Sequence, residues 1–431
     1  MTKIRKNNIV ILIFILASVL SLFVGFFLNE DLSTGGCRFD FKQTWRIMGD
    51  FSNNNFVEFS KYTSHVPVHY FLLFFINNFV NDIDNVRFIY LIFSFLLPIF
   101  FYLNLAKIYN CNKSILFLFS FSLLLFPFFR AMAIWPNAHL TASIFFLISN
   151  YFYLKGNSDN KIFYRYLNLL FLAFATYSMQ SYVILFSFYL IKYFLNRPKK
   201  EVIQLFLFCI LLSTPGLYML SFNTRIISFN INYLATEEKN FLSTTARNFS
   251  YIIATTLSLI LFYLLLLMNN NNLILLKNKI TKLSKKEIFL ILALLVFVVI
   301  NFTPYDNPMV GGGFFYKLSN FLFNNNFIFF SSYLLGLILC TIIIKEDKNL
   351  IYAIAFIILM TSSYIIFQKY YEPLFILLVA VLHKNFLINN LLLNSRNIAT
   401  FIIFLLLYLC VTMVNSLVDI TNHLHGTFRI F

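Results

Sequence analysis

Long apolar runs, each closed by a short polar or basic turn, recur from near the start of the chain almost to its end. About twenty consecutive apolar residues match the hydrocarbon thickness of a bilayer. The runs predict thirteen helices, over residues 9–28, 86–106, 114–129, 133–154, 164–180, 181–196, 203–222, 249–268, 287–303, 327–344, 350–367, 371–383 and 398–415. The expected fold class is therefore all-α, a polytopic membrane protein forming one integral membrane domain over residues 1–431. Dropping the marginal runs, such as Tyr182–Leu195, lowers the count to eleven. The stretch 66–80 is apolar but short and flanked by polar sequence, which suggests a re-entrant or interfacial helix. The first run, Ile9 to Leu28, has no small-residue cleavage site behind it and is long for a signal peptide, so it is read as a retained helix.

Composition agrees with the pattern. Apolar residues make up 60% of the 431 and charged residues 12%. A soluble domain of this length carries about twice that charged fraction. The five cysteines show no paired metal spacing and imply no disulfide framework. A net charge of +16 raises the question of nucleic acid, and the placement of the charge answers it. With the N-terminus and its Lys3, Arg5 and Lys6 in the cytoplasm, the inner turns hold most of the Lys and Arg but few of the Asp and Glu. The basic balance thus reads as membrane orientation, and no nucleic-acid partner is expected. Residues 269–286 form a basic cytoplasmic loop. Three outer segments are too long or polar for simple turns: 29–85, 223–248 and 303–326. Polar chemistry should face the periplasm or exterior.

The first outer loop carries the most chemistry. Asp40 follows the Gly35-Gly36 turn signal and precedes Phe41, Trp45 and Met48 at helical spacing. That predicts a short amphipathic helix on the membrane surface beginning near Asp40. Asp40 has two readings at this point: an N-cap for that helix, or a carboxylate held at the bilayer edge as a general base. Downstream lie Tyr62, His65, Pro67 and His69, entering an apolar run. His65 and His69 are four apart with Pro67 between them and no third ligand nearby, so no zinc site is read.

An early helix, an acidic residue a dozen positions later heading an aromatic-bearing helix, then a His-Pro segment entering an apolar run resembles the C-type (GT-C) glycosyltransferase superfamily. That superfamily includes the protein O-mannosyltransferases, the lipid A aminoarabinose transferases and the dolichol-linked glucosyl- and mannosyltransferases. The resemblance is clearest over residues 9–150. It implies that Asp40 takes the catalytic acidic position and Trp45 the aromatic one, with Tyr62, His65 and Pro67 in the segment before the next helix. Phe41 stands where a second acidic residue is common, and Val66-Pro67 replaces paired prolines. No cofactor is therefore firmly called for, and a divalent cation stays open. Glu30, Asp31 and Asp50 rival Asp40 for the catalytic position.

The implied reaction moves a sugar from a polyprenyl-phosphate donor to a glycan, lipid or protein acceptor on the outer face, with inversion. The lipid phosphate gains charge as the bond breaks, so cations are needed beside it. Three candidates stand at helix ends or in loops: Arg130 after Phe128-Phe129, Lys369 in Gln368-Lys369-Tyr370-Tyr371-Glu372-Pro373, and Lys317 behind Gly311-Gly312-Gly313, a stretch read as a lid. The Lys369 segment resembles the superfamily's late basic-aromatic-Pro element. Each has an ordinary alternative as a snorkelling end residue. Gln180, in a polar turn, suits either a sugar hydroxyl or the turn itself. Two other functions fit many helices with outer loops. An O-antigen-type polymerase would place Arg-rich loops in the later half, whereas the two long later loops hold only Arg225, Lys239, Arg247 and Lys317. A lipid-linked-sugar flippase or secondary transporter would show internal repeats and mid-membrane charges, and neither is evident.

Overall fold

The computed structural model describes residues 3–33, 35–52, 67–222, 241–302, 313–346, 348–360, 366 and 368–425, and among them every regular element is helical. Among the described residues, six helices are long and apolar enough to cross a membrane alone: Ile9–Phe27, Ile83–Ile108, Lys199–Tyr218, Phe249–Leu266, Phe327–Glu346 and Ser395–Ser416. Two sharply bent pairs bring the number to eight. The chain divides into two compact units, Met1–Ile227 and Ser228–Phe431.

In the first unit, α1 (Lys3–Phe27) is apolar from Ile9 onward and exposes Leu16, Leu20 and Val24. A left-handed Asn29 ends it, and the Glu30 N–H returns to the Gly25 carbonyl. Helix α2 (Gly36–Ser52) begins four residues earlier than the spacing of its aromatics suggested. Gly35, at φ +85°, makes the turn into it. Ser33 Oγ then accepts from the Cys37 N–H and Asp31 Oδ2 from the Arg38 N–H. These bonds do the capping expected of Asp40, which lies one turn inside the helix. Cys37, Phe41, Thr44 and Met48, spaced three and four apart, form its buried face.

Helix α3 (Val68–Val80) realises the short element expected over 66–80. It exposes Phe71, Phe75 and Phe79 at 44%, 60% and 72%, one turn apart. In water each ring would forgo roughly 1.5–3 kcal/mol of burial, so this stripe belongs against lipid. Asp82 caps α4 (Ile83–Ser94), which continues through Phe95 into α5 (Leu96–Ile108) as one span. Helix α6 (Lys113–Phe121) passes through a 3₁₀ turn, Ser122–Leu125, then bends by 68° into α7 (Pro127–Ile134). Pro127 holds Phe126 in extended backbone, which places the break there. The helix expected over 133–154 starts instead at Ala138, because Trp135-Pro136-Asn137 separates α7 from α8 (Ala138–Ser158). Helix α9 (Ile162–Thr176), a 3₁₀ turn (Gln180–Val183), α10 (Ile184–Asn196) and α11 (Lys199–Phe222) complete the unit.

Side-chain amides and hydroxyls tie its middle together. Asn150 Nδ2 donates to Asn104 Oδ1 at 2.8 Å and Tyr189 Oη to Asn150 Oδ1 at 2.8 Å. Asn168 Nδ2 donates to Ser149 Oγ at 2.8 Å, and Tyr193 Oη to Asn168 Oδ1 at 2.9 Å. Helices α5, α8, α9 and α10 are thereby linked through groups that lipid could not satisfy.

The second unit comprises α12 (Phe241–Leu266), α13 (Asn270–Ile280), α14 (Lys285–Asn301), α15 (Gly313–Phe323), α16 (Phe327–Glu346) and α17 (Leu350–Met360). A 3₁₀ turn (Gln368–Tyr370), α18 (Leu374–Val381), α19 (Phe386–Leu392) and α20 (Ser395–His425) follow. The expected basic hairpin is ordered by Asn269, which caps α13, and by a Ser284–Glu287 capping box on α14. Gly336 lets α16 meet α12, since a Cβ there would lie 2.2 Å from the Leu257 carbonyl oxygen. The segment through α18 and α19 turns by 92°. Every residue of α18 is buried.

Candidate functional site

The first unit gathers described polar groups of the 29–85 segment at one end. The C-terminal end of α1, the start of α3, the start of α4 and the corner between α7 and α8 meet there. Arg130, the fourth residue of α7, is 1% exposed and grips Glu30 through two bonds, Nε–Oε1 at 2.7 Å and Nη2–Oε2 at 2.8 Å. Its remaining N–H groups reach Ser21 Oγ and the Ser21 carbonyl, each at 2.9 Å. Gly25 makes room for this pair: a Cβ there would fall 2.6 Å from Glu30 Oε2 and 2.9 Å from Arg130 Nη2. Arg130, a phosphate-binding candidate from sequence, is thus engaged by a carboxylate and by α1.

Trp135 is the hub beside that pair. Its Nε1 donates to the Glu30 carbonyl at 2.9 Å, and its ring centroid lies 6.1 Å from that of Phe41. The Arg87 guanidinium sits 3.7 Å from the indole centroid and that of Arg38 5.2 Å. Arg87 is buried; it bonds the Ile134 carbonyl, Asn29 Oδ1 and Asp84. Neither Arg87 nor Trp135 was singled out from sequence. Both lie where a helix starts or stops in an apolar background, which was the available signal.

Asp40 is half-buried, and Asn137 Nδ2 donates to its Oδ2 at 3.3 Å. The orientation of the Asn137 amide follows from its second duty. As N-cap of α8 its Oδ1 accepts the His139 N–H at 3.0 Å, which leaves the NH₂ to face Asp40. The Asn137 carbonyl accepts from Tyr90 Oη at 2.9 Å; that hydroxyl also meets Thr141 Oγ1 at 2.8 Å, and Thr141 meets His69 Nδ1 at 2.8 Å. A continuous polar chain therefore runs from the Asp40 carboxylate to the buried His69. Trp45 is half-buried on the same helix, 5.9 Å from the Phe41 ring. Gln180 opens the 3₁₀ turn after α9, half-buried; the α3 start is anchored at that corner by Val68 N–H to the Tyr177 carbonyl, 2.8 Å.

The rivals of Asp40 divide. Glu30 is committed to Arg130, and Asp31 accepts from Ser33 N–H, Ser33 Oγ and Arg38 N–H. The Asp50 side chain, Tyr62 and His65 lie outside the described residues.

The second unit holds the remaining candidates. Lys369, in a 3₁₀ turn, is 7% exposed, with its ammonium 5.8 Å from the Tyr370 ring centroid. Beside it, Glu372 is buried and accepts from Tyr408 Oη at 2.8 Å and Tyr263 Oη at 3.1 Å. Gln368 Nε2 donates to Tyr408 Oη at 2.8 Å, and Tyr371 Oη meets Thr256 Oγ1 at 2.9 Å. The sequence placed Glu372 only within a motif, and its tyrosine partners are too distant along the chain to be read. Lys317 is half-buried on α15; Gly313 opens that helix at φ +78°, and Gly311 and Gly312, two of the three glycines of the expected lid, lie outside the described residues.

Compared with protein-family models and with curated proteins, the chain matches none.

Proposed function

We propose that this chain is a membrane glycosyltransferase of the C-type, moving a sugar from a polyprenyl-phosphate donor to an acceptor on the outer face of the membrane. The observation that carries the reading is the placement of Asp40, half-buried at a bundle end with the oriented Asn137 amide on its Oδ2. Such a carboxylate suits a general base for a hydroxyl acceptor. The acceptor oxygen gives its proton to Asp40 and bonds the anomeric carbon, while the bond from that carbon to the phosphate oxygen breaks. The lipid phosphate leaves with the electron pair, and the anomeric centre inverts.

In this reading Arg130 is a structural cation, because Glu30 neutralises it. Among the cations named from sequence, Lys369 is the one whose segment resembles the superfamily's late element. The reading carries thirteen crossings, a cytoplasmic N-terminus and an acceptor that is a glycan, a lipid or a protein.

The test is turnover by purified protein with a panel of radiolabelled polyprenyl-phosphate sugars, native against Asp40→Asn. Loss of lipid-linked label with native protein alone supports the reaction and the base. Turnover by both variants moves the base elsewhere. No turnover with any donor, together with carrier movement in proteoliposomes, replaces the transferase by a transporter.

A further inference from the structure

Helix α2 carries its charges on separate flanks. Arg38, Lys42 and Arg46 follow one another at successive turns on one side, all exposed, while Asp40 lies on the other side near Asn137. The buried face of Cys37, Phe41, Thr44 and Met48 runs between these flanks. No acidic side chain among the described residues pairs with Lys42 or Arg46. Arg38 touches an aromatic ring, and its own backbone N–H is what Asp31 takes.

The level of this helix in the bilayer follows from its neighbours. On one side is the end of the α1 span, whose Phe27 and Leu28 are 72% and 75% exposed. The link from there to α2 is pinned at Glu30 and Ser33, so α2 begins close to the span's end. On the other side α2 packs on α3, with its outward stripe of Phe71, Phe75 and Phe79. A helix set between a span terminus and a lipid-facing aromatic stripe lies in the headgroup layer. There, exposed cations meet lipid phosphates, each contributing roughly a fivefold preference for an anionic surface.

We infer that the Arg38–Lys42–Arg46 flank of α2 is a binding surface for the phosphate headgroups of anionic membrane lipids. It fixes the depth of α2, and with it that of Asp40, relative to the bilayer surface. The inference does not depend on the transferase reading, since it rests on the placement of α2 alone.

Both tryptophans of the chain, Trp45 and Trp135, lie at this end and report on it. The full chain is reconstituted in bilayers of phosphatidylcholine and phosphatidylglycerol, with one lipid or the other brominated. Quenching of tryptophan emission then gives a local preference ratio. Native protein should favour brominated phosphatidylglycerol at least about fivefold, and raised salt should remove that preference. Lys42→Gln with Arg46→Gln should lower the ratio severalfold, to the preference that Arg38 alone retains, at unchanged thermal stability, whereas Lys42→Arg with Arg46→Lys should keep it. If the double Gln variant unfolds, the single Lys42→Gln and Arg46→Gln variants must each lower the ratio. A native ratio near one, or a ratio that survives neutralisation of the flank, overturns the inference.

Discussion

The two ends of the first unit each bury an arginine at 1% exposure, and each arginine is met by a glutamate distant in sequence, Glu30 from the loop after α1 and Glu201 from α11. At one end Arg130 binds Glu30; at the other Arg165 binds Glu201, the Gly156 carbonyl and Asn160 Oδ1. Both sit against a glycine, Gly25 in the first case and Gly156 in the second. The surroundings differ. Around Arg165 lie Lys155, Lys161, Lys199 and Arg197, the last tied to Asn157 and Asn160. Around Arg130 lie Trp135, Asn137 and Asp40. A buried arginine at a helix end is thus a clamp at either place, and the chemistry is whatever remains once the clamp is satisfied. At the Arg165 end the exposed surface is mainly basic, with Asp159 among it; at the Arg130 end the half-buried Asp40 faces the Asn137 amide.

The largest expected contrast is between two acids ten residues apart. Asp40→Asn should lower turnover by about 10²–10⁴-fold, the usual worth of a general base, with the melting temperature unchanged. A loss under threefold would remove Asp40 from the chemistry. Next come the clamps. Glu30→Gln and Glu201→Gln each strand a buried guanidinium and should each cost roughly 3–5 kcal/mol of stability. Thermal unfolding in detergent measures both, and a loss at one end alone would break the symmetry argued above.

The glycines sharpen it further. Gly25→Ala forces a methyl into side chains locked by their own bonds, an overpacking of roughly 1–3 kcal/mol. At Gly156 the nearest atoms, Arg165 Cγ at 3.2 Å and Tyr164 Cβ at 3.3 Å, need yield by only tenths of an ångström. There the gain of about 0.5–1 kcal/mol from replacing a helical glycine offsets the strain, so Gly156→Ala should be close to neutral. The smallest effect belongs to Asn137→Ser. Serine caps α8 as asparagine does but offers Asp40 no amide, so turnover should drop about fivefold, a net hydrogen bond's worth, with stability nearly kept. Equal activity would show that the 3.3 Å contact is incidental.

What the sequence could and could not convey follows from the range of each interaction. The buried face of α2 was legible because Phe41 and Met48 are local in spacing. Its start was not, because the cap is made by Asp31 and Ser33 across a glycine turn. The break at Pro136 lies inside an apolar stretch read as one helix, since periodicity does not register where a chain bends. Asp40 was legible as a candidate through its position in the loop. The capture of Arg130 by Glu30 joins residues a hundred positions apart, and no local pattern encodes it. The same holds for Glu372 and its tyrosines.

The amide and hydroxyl ladder through α5, α8, α9 and α10 bears on how the protein is made. Asn104, Asn150 and Asn168 bond one another's helices through their side chains, Asn104 also reaching the Phe100 carbonyl of its own helix. Emerging singly from a ribosome-bound channel, α8 or α9 would carry those amides into lipid without partners, a penalty on each insertion step. Neither is among the helices long and apolar enough to cross alone. These segments should therefore linger at the channel until their partners arrive and leave it as a group. Biogenesis here is an assembly step, with the order of synthesis, α5 before α8 before α10, matching the order in which the bonds close.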